Sequence, residues 1–323
     1  MRKKILIVRF SSIGDIVLCS PIVRCLSLQL GAEIHFLTKK SYLSIVENNP
    51  YLSKVFGIEK SVAELLPALK KEKYDVIIDL HHNLRSRILS LRLGVLTFRF
   101  PKLNIEKWLL VKFKINKLPD LHIVDRYFET VRQLGVKNDQ RGLDFAIAPE
   151  DELEVAPYLL GEDKTFYAFA IGATFATKRL PNEKIIAICN TISKNIILLG
   201  GKDDQKNAEL IVQSSSKNIV NLCGKLSIQQ SASVVKQAEK VLTHDTGLMH
   251  IAAAFHKKTI VFWGNTLPEF GMYPYQTEHK NIEVKGLACR PCSKIGFQTC
   301  PKGHFRCMKN INLDDVAAAL KEL

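Results

Sequence analysis

The chemistry-bearing residues of this chain gather at four short segments, each placed where an apolar run gives way to a polar turn. The first is Ser11-Ser12-Ile13-Gly14-Asp15, directly behind the run Ile5–Val8. An Asp in the first turn of a helix feels the positive end of the helix dipole and tends to stay ionised. An ionised carboxylate can accept the proton of a substrate hydroxyl, so Asp15 reads as a general base, with Ser11, Ser12 and Gly14 beside the substrate. A plainer reading makes Asp15 the cap of that helix, and the local pattern serves both.

The second segment, Thr243-His244-Asp245-Thr246-Gly247-Leu248-Met249-His250, also runs from an apolar stretch into a helix. Its Thr246 and Gly247 would expose first-turn N–H groups, which bind phosphate readily. His250 falls one turn further on, near enough to face the same ligand, although a histidine there also serves as an internal packing residue. In the third, Gly172-Ala173-Thr174-Phe175-Ala176-Thr177-Lys178, the threonines Thr174 and Thr177 could line a phosphate site and Lys178 could supply its charge. The fourth, Gly200-Gly201-Lys202-Asp203, places a carboxylate where other nucleotide-binding folds hold ribose hydroxyls. Each loop is common by itself. Three phosphate- or ribose-type loops at consecutive strand ends of one half are a more specific signal.

The elements that must carry these segments alternate. Strand-like runs at Lys4–Arg9, Glu33–Thr38, Lys54–Phe56, Asp75–Leu80 and Val95–Phe100 are separated by helical patterns at Gly14–Leu30, Tyr42–Glu47, Ser61–Glu72 and Asn83–Leu93. Continuous apolar strands such as Ile-Leu-Ile-Val suit burial on both faces, and β/α alternation predicts a doubly wound parallel sheet. Val124–Leu134 reads as a further helix. A polar stretch over 136–163 then interrupts the pattern, which restarts at Phe166 and closes with a helix capped by Asn312. The expectation is two α/β domains, 1–155 and 156–323. In such sheets ligands sit beyond the carboxyl ends of the strands, where all four segments fall.

Bulk properties narrow the classes. The 323 residues are 46% hydrophobic and 24% charged, which argues against extensive disorder. The apolar run near the N-terminus ends at Arg9 after four residues, too short for a secretory signal. No apolar run approaches the roughly 20 residues of a membrane span, so a soluble, cytoplasmic protein is expected. Neither domain's first strand is followed by GxGxxG, which argues against a dehydrogenase. The net charge of +14 is concentrated: Arg85–Lys117 holds nine Lys or Arg against Glu106 alone. Such a run suits an anionic partner.

Together, Arg9–Pro21 (RFSSIGDIVLCSP), the GAT…TKRLP segment, LLGGKDD, and DTGLMHIAAA followed by VFWGNT resemble glycosyltransferase family 9, the bacterial lipopolysaccharide heptosyltransferases. The resemblance runs nearly end to end. It implies a GT-B fold, two Rossmann-like doubly wound domains facing a central cleft, with the acceptor on the first and the nucleotide sugar on the second. It also implies an inverting transfer from ADP-heptose to a phosphorylated, lipid-linked core, with no metal and no cofactor. The absence of any D-x-D triplet agrees with that.

By resemblance, Asp15 is the catalytic base and Lys178 neutralises the departing diphosphate. Thr174 lies in the phosphate loop and Asp203 contacts the ribose. Thr246 and Gly247 offer amides to the diphosphate, while Asp245 and His250 lie near the donor sugar and phosphates. The family's acidic acceptors give the basic stretch a use, with Arg85 and Arg87 as acceptor contacts. Ile105, Trp108 and Leu109 among Lys107, Lys112 and Lys114 suggest a basic amphipathic helix for the inner-leaflet surface, or a solvated face packed on its own domain. Nucleic acid is not an expected partner.

Two positions depart from the family pattern: Leu180, where an aromatic residue is frequent before Pro181, and His244, where a small polar residue is usual. Rival readings keep the fold with another nucleotide sugar, or make the chain a non-catalytic binder of nucleotides or polyanions. Cys289, Cys292, Cys300 and Cys307, with His304 among them, lie within 19 residues and read either as reduced packing thiols or as a structural zinc site.

Overall fold

A computed structural model of the chain describes residues 2–159 and 161–323. The strands are β1 (Lys4–Val8), β2 (Glu33–Lys39), β3 (Lys54–Ile58), β4 (Val76–Asp79), β5 (Thr97–Arg99), β6 (Phe166–Ala170), β7 (Asn195–Leu199), β8 (Ile219–Asn221), β9 (Lys240–His244), β10 (Lys258–Trp263) and β11 (His279–Glu283). The helices are α1 (Ile13–Val17), α2 (Ser20–Leu30), α3 (Leu66–Lys71), α4 (Leu84–Leu93), α5 (Asn104–Phe113), α6 (Ile123–Val131), α7 (Asn182–Thr191), α8 (Gln205–Ser214), α9 (Ile228–Gln237), α10 (Gly247–Ala254), α11 (Arg306–Lys309) and α12 (Leu313–Glu322). The chain forms two compact units, Met1–Leu103 with Leu121–Ala148, and Asn104–Asp120 with Pro149–Leu323.

The first unit is built on a five-stranded sheet in the order β3-β2-β1-β4-β5, with every pairing parallel. Ile5, Leu6 and Ile7 of its central strand are fully buried, as the unbroken apolar run requires. The order reverses between β1 and β4, so the loops after these two strands border the unit's switch point. The helical stretch expected over Gly14–Leu30 is two helices, because Pro21 lacks the N–H that would carry one helix through and sits instead in the first turn of α2. Ile13–Leu30 is also more apolar than the sequence reading allowed. Its 18 residues have mean hydropathy 1.5, enough by length and composition for a span, but 67% of the stretch is buried inside the unit. Tyr42–Glu47, expected to be helical, falls in a short 3-10 turn, Lys40–Ile45.

The second unit carries a six-stranded parallel sheet in the order β11-β10-β9-β6-β7-β8. Its reversal lies between β6 and β9. A core of β6, β7 and β10 residues, including Phe169, Leu198 and Phe262, packs against α7, α8 and α12. The basic stretch is divided between the units: Arg85–Lys102 belongs to the first, while α5 and its lysines group with the second.

Candidate active site

In the first unit, Asp15 sits at the third position of α1, behind the cap residue Ser12. Its Oδ2 accepts hydrogen bonds from the Ser12 N–H (3.2 Å) and the Ser12 hydroxyl (2.8 Å). Its Oδ1 lies 2.5 Å from Nη2 of Arg9, and 20% of the Asp15 side chain is exposed. Burial alone would raise the Asp15 pKa, but the Arg9 charge and the Ser12 donors together outweigh it and hold the carboxyl below its ordinary value. The group is therefore an ionised, reachable acceptor of protons at neutral pH.

Arg9 is fixed as firmly as the base it holds. Its Nε donates to the Ser11 carbonyl (2.9 Å), and its Nη1 donates to the Leu80 carbonyl (2.5 Å) and the Tyr127 hydroxyl (3.1 Å). The Leu80 contact ties the β1 loop to the β4 loop across the switch point. There the His81 ring packs on Phe10, with centroids 4.8 Å apart. Burial, then the Arg9 charge, lowers the His81 pKa to about 3, so a neutral imidazole stands near the ionised Asp15. Buried Asp79 shapes this loop, accepting from the His81 and His82 amides (3.1 and 2.6 Å) and from the Ser86 hydroxyl (2.7 Å). In the sequence reading Arg9 has a place in the first motif but no role of its own, and His81 has none at all. Their position at strand ends beside the switch point was the available signal.

Arg85 and Arg87 lie on exposed positions of α4, and Arg87 reaches the His82 ring at 2.9 Å. Along the same helix, Leu84 (73% exposed), Ile88 (39%) and Leu91 (77%) form an uncovered i, i+4, i+7 stripe.

In the second unit, the loops after β6 and β9 meet at the switch point. Lys178 Nζ is 2.6 Å from Asp245 Oδ2, and the Thr266 hydroxyl donates to the same oxygen at 2.9 Å. Thr246 occupies the N-cap position of α10 without a side-chain cap hydrogen bond, and the first-turn N–H groups have no acceptor within the helix. A cation, a carboxylate and an amide-lined helix end thus share one place. Thr174 is exposed in the loop before Lys178, and Gly247 and Leu248 are half-buried. Thr177 is different: its hydroxyl donates internally, to Asn265 Oδ1 (3.1 Å) and the Phe297 carbonyl (3.0 Å). His250 is buried in α10.

The fourth loop divides its two acids. Asp203 is exposed, whereas buried Asp204 accepts from the Gly201 amide (2.9 Å) and pairs with Arg179 (3.1 Å). Gly172 is required here, since a Cβ at that position would stand 2.2 Å from Asp204 Oδ2. Asp204 and Arg179 lock the phosphate-type loop to the ribose-type loop, a role the sequence reading did not assign. The two departures from the family pattern also touch each other. The Leu180 amide donates to His244 Nε2 at 3.0 Å, and burial, followed by the Arg179 charge, lowers the His244 pKa to about 3. A neutral His244 acceptor thus anchors the Leu180 backbone behind Lys178.

Comparison with known proteins identifies this architecture. The family model for glycosyltransferase family 9 (heptosyltransferase) matches residues 62–301. The chain is 23% identical to lipopolysaccharide heptosyltransferase 1 of Campylobacter coli, covering 99% of this chain and 98% of that one. It is 25% identical to lipooligosaccharide heptosyltransferase 2 of Campylobacter jejuni, covering 96% and 95%. Among solved structures, a family 9 glycosyl transferase from Veillonella parvula matches with TM-score 0.79 at 20% identity, over 99% of this chain and 96% of that one. The ADP-heptose lipopolysaccharide heptosyltransferase II of E. coli matches with TM-score 0.73 at 17% identity, over 99% and 98%. The shared fold is of the GT-B type, two parallel-sheet α/β units. The chain belongs to glycosyltransferase family 9, the heptosyltransferase family, and is a glycosyltransferase.

Proposed function

We propose that this glycosyltransferase moves heptose from ADP-heptose to a phosphorylated, lipid-linked lipopolysaccharide core in one inverting, metal-independent displacement. The observation that carries the reading is the grouping of Lys178, Asp245 and the open N-terminus of α10 at one switch point, which supports a diphosphate site there. The names of the two Campylobacter relatives, both heptosyltransferases, support the choice of sugar. In this mechanism the acceptor oxygen forms a bond to the anomeric carbon as that carbon's bond to the diphosphate breaks. The bonding pair leaves on the diphosphate oxygen, where Lys178 and the Thr246 and Gly247 amides stabilise it. The hydroxyl proton passes to Asp15. Thr174 lies along the phosphates, Asp203 faces the ribose, and Asp245 and His250 adjoin the donor sugar. Ser11, Ser12 and Gly14 border the acceptor hydroxyl.

The donor assignment is tested by thermal shift with a panel of nucleotide sugars. ADP-heptose and ADP should raise the unfolding temperature, and UDP- and GDP-sugars should leave it unchanged. Equal stabilisation by UDP-sugars would move the enzyme to another donor class.

The acceptor assignment uses the exposed surfaces of α4 and α5. Arg85, Arg87 and Arg92 flank the α4 stripe, and α5 exposes Ile105 (72%) and Trp108 (55%) beside Lys107 and Lys112. Basic side chains around exposed apolar ones suit a peripheral enzyme working on an acidic glycolipid at the inner leaflet. Vesicles with anionic lipid should retain the protein at low salt and release it as salt rises, while neutral vesicles should not retain it. Retention independent of lipid charge would remove Arg85 and Arg87 from the acceptor surface.

A further inference from the structure

Two histidines follow β4 in the first unit, and the fold occupies the ring nitrogens of only one. His82 is fully engaged: its Nδ1 donates to the Phe100 carbonyl (2.7 Å), and its Nε2 accepts from Arg87 Nη2 (2.9 Å). His81 is different. Its Nδ1 is buried with no hydrogen-bond partner among the described residues. The residue as a whole is only half-buried, so the ring nitrogen that a ligand can reach is Nε2.

The His81 ring is nevertheless held firmly, by its backbone and its face. Its amide donates to Asp79 Oδ1 at 3.1 Å, and its ring packs on Phe10, itself 3% exposed, with centroids 4.8 Å apart. The parallel register that pairs Val8 with Asp79 continues one step further, where the Leu80 N–H donates to the Val8 carbonyl at 3.1 Å. Phe10 and His81 therefore leave β1 and β4 side by side. One guanidinium joins this place to the base. Arg9 Nη1 donates to the Leu80 carbonyl (2.5 Å), in the peptide that precedes His81, and Arg9 Nη2 lies 2.5 Å from Asp15 Oδ1.

We infer that His81 is an acceptor-binding residue, whose Nε2–H donates to an oxygen of the acceptor sugar beside the hydroxyl that Asp15 deprotonates. The inference rests on Asp15 as the base and extends that reading to the substrate's orientation. The tautomer follows from the surroundings of the ring. A buried N–H without an acceptor is costlier than a buried lone pair, so the proton belongs on Nε2. Burial first, then the Arg9 and Lys102 charges, with a smaller contribution from Lys39, keep the ring neutral against the opposing pull of Asp15. Neutrality matters here. An imidazolium would compete with Arg9 for the Asp15 carboxylate and weaken it as a base, whereas a neutral N–H orients the sugar without drawing on that charge. Lys178 and Asp245 lie in the other unit, so the diphosphate site has no need of His81.

Two readouts on the full chain test this. Long-range ¹H–¹⁵N spectra of the imidazoles, with His81→Gln identifying the signal, should show His81 neutral and protonated on Nε2 at neutral pH. An imidazolium, or a proton on Nδ1, would overturn the inference, and this readout needs no substrate. The second is transfer from ADP-heptose to two acceptors, a heptose-free lipopolysaccharide core and a core carrying one heptose. His81→Phe keeps an aromatic face against Phe10 and should raise the acceptor KM about tenfold, the loss of one hydrogen bond, with a smaller change in kcat and parent ADP affinity. His81→Gln, whose amide N–H can replace Nε2–H, should recover most of that loss. A parent-like acceptor KM in His81→Phe, or an equal loss in His81→Gln, would overturn the inference and leave His81 as a packing residue. A parent enzyme that transfers to neither acceptor contradicts the proposed function instead, and the imidazole spectra then decide for His81.

Discussion

Replacing Asp15 by alanine is expected to lower turnover by about 10²–10⁴-fold, the usual loss on removing a general base, while leaving ADP affinity at its parent value. The separation follows from where the groups lie. Asp15 belongs to the first unit, and Lys178, Asp245 and α10 belong to the second. Alanine also strands the Arg9 guanidinium, whose side chain is only 10% exposed and whose ion-pair partner is Asp15. Asp15→Asn separates the two effects, because an amide oxygen can still accept the Ser12 bonds but takes no proton at neutral pH. Its turnover should fall as far as that of Asp15→Ala, with a smaller loss of stability. An Asp15→Asn enzyme with near-parent turnover would reduce Asp15 to a helix cap. The Arg9 charge also sets a direction for pH: because the folded Asp15 pKa lies below its ordinary value, the carboxylate stays ionised through mildly acidic conditions. Activity should therefore not fall at weakly acid pH on account of this group.

Lys178→Ala should damage both binding and transfer. A hydrogen bond to a charged group contributes about 1.5–3 kcal/mol, so ADP affinity should weaken by about 10–100-fold, and kcat should fall with it. The substitution also frees Asp245, whose carboxylate would then face the diphosphate without the cation now 2.6 Å away. Like-charge repulsion adds to the loss. Calorimetric titration with ADP reads the binding effect directly. An unchanged affinity would take Lys178 out of the donor site and leave it as the internal partner of Asp245.

Much of this arrangement is legible in the sequence, for a physical reason. Strands buried on both faces, such as Ile5–Val8 and Ile196–Leu199, must be continuous and apolar, so they stand out from their surroundings. The loops that follow them are then located by topology alone. What was less visible depends on partners far apart in the chain. β11 is an edge strand whose only buried residue is Ile282, so its sequence lacks the apolar run that marked the others. The Arg9–Asp15 pair is local, but nothing in its spacing separates an arginine that holds the base from one that faces solvent. Asp203 and Asp204 are neighbours of one type, and their distant partners, Gly172 (32 positions upstream of Asp204) and Arg179, distinguish the one packed inside. The two departures from the family pattern, Leu180 and His244, read separately as weaknesses. In the fold they form one hydrogen bond.

The account rests on a division of labour: one unit takes the proton and the other holds the diphosphate. It is tested most directly by titrating ADP into Asp15→Asn beside the parent enzyme. The account predicts superimposable binding isotherms from a protein that has lost transfer. A matching loss of ADP affinity and of turnover in that variant would contradict it.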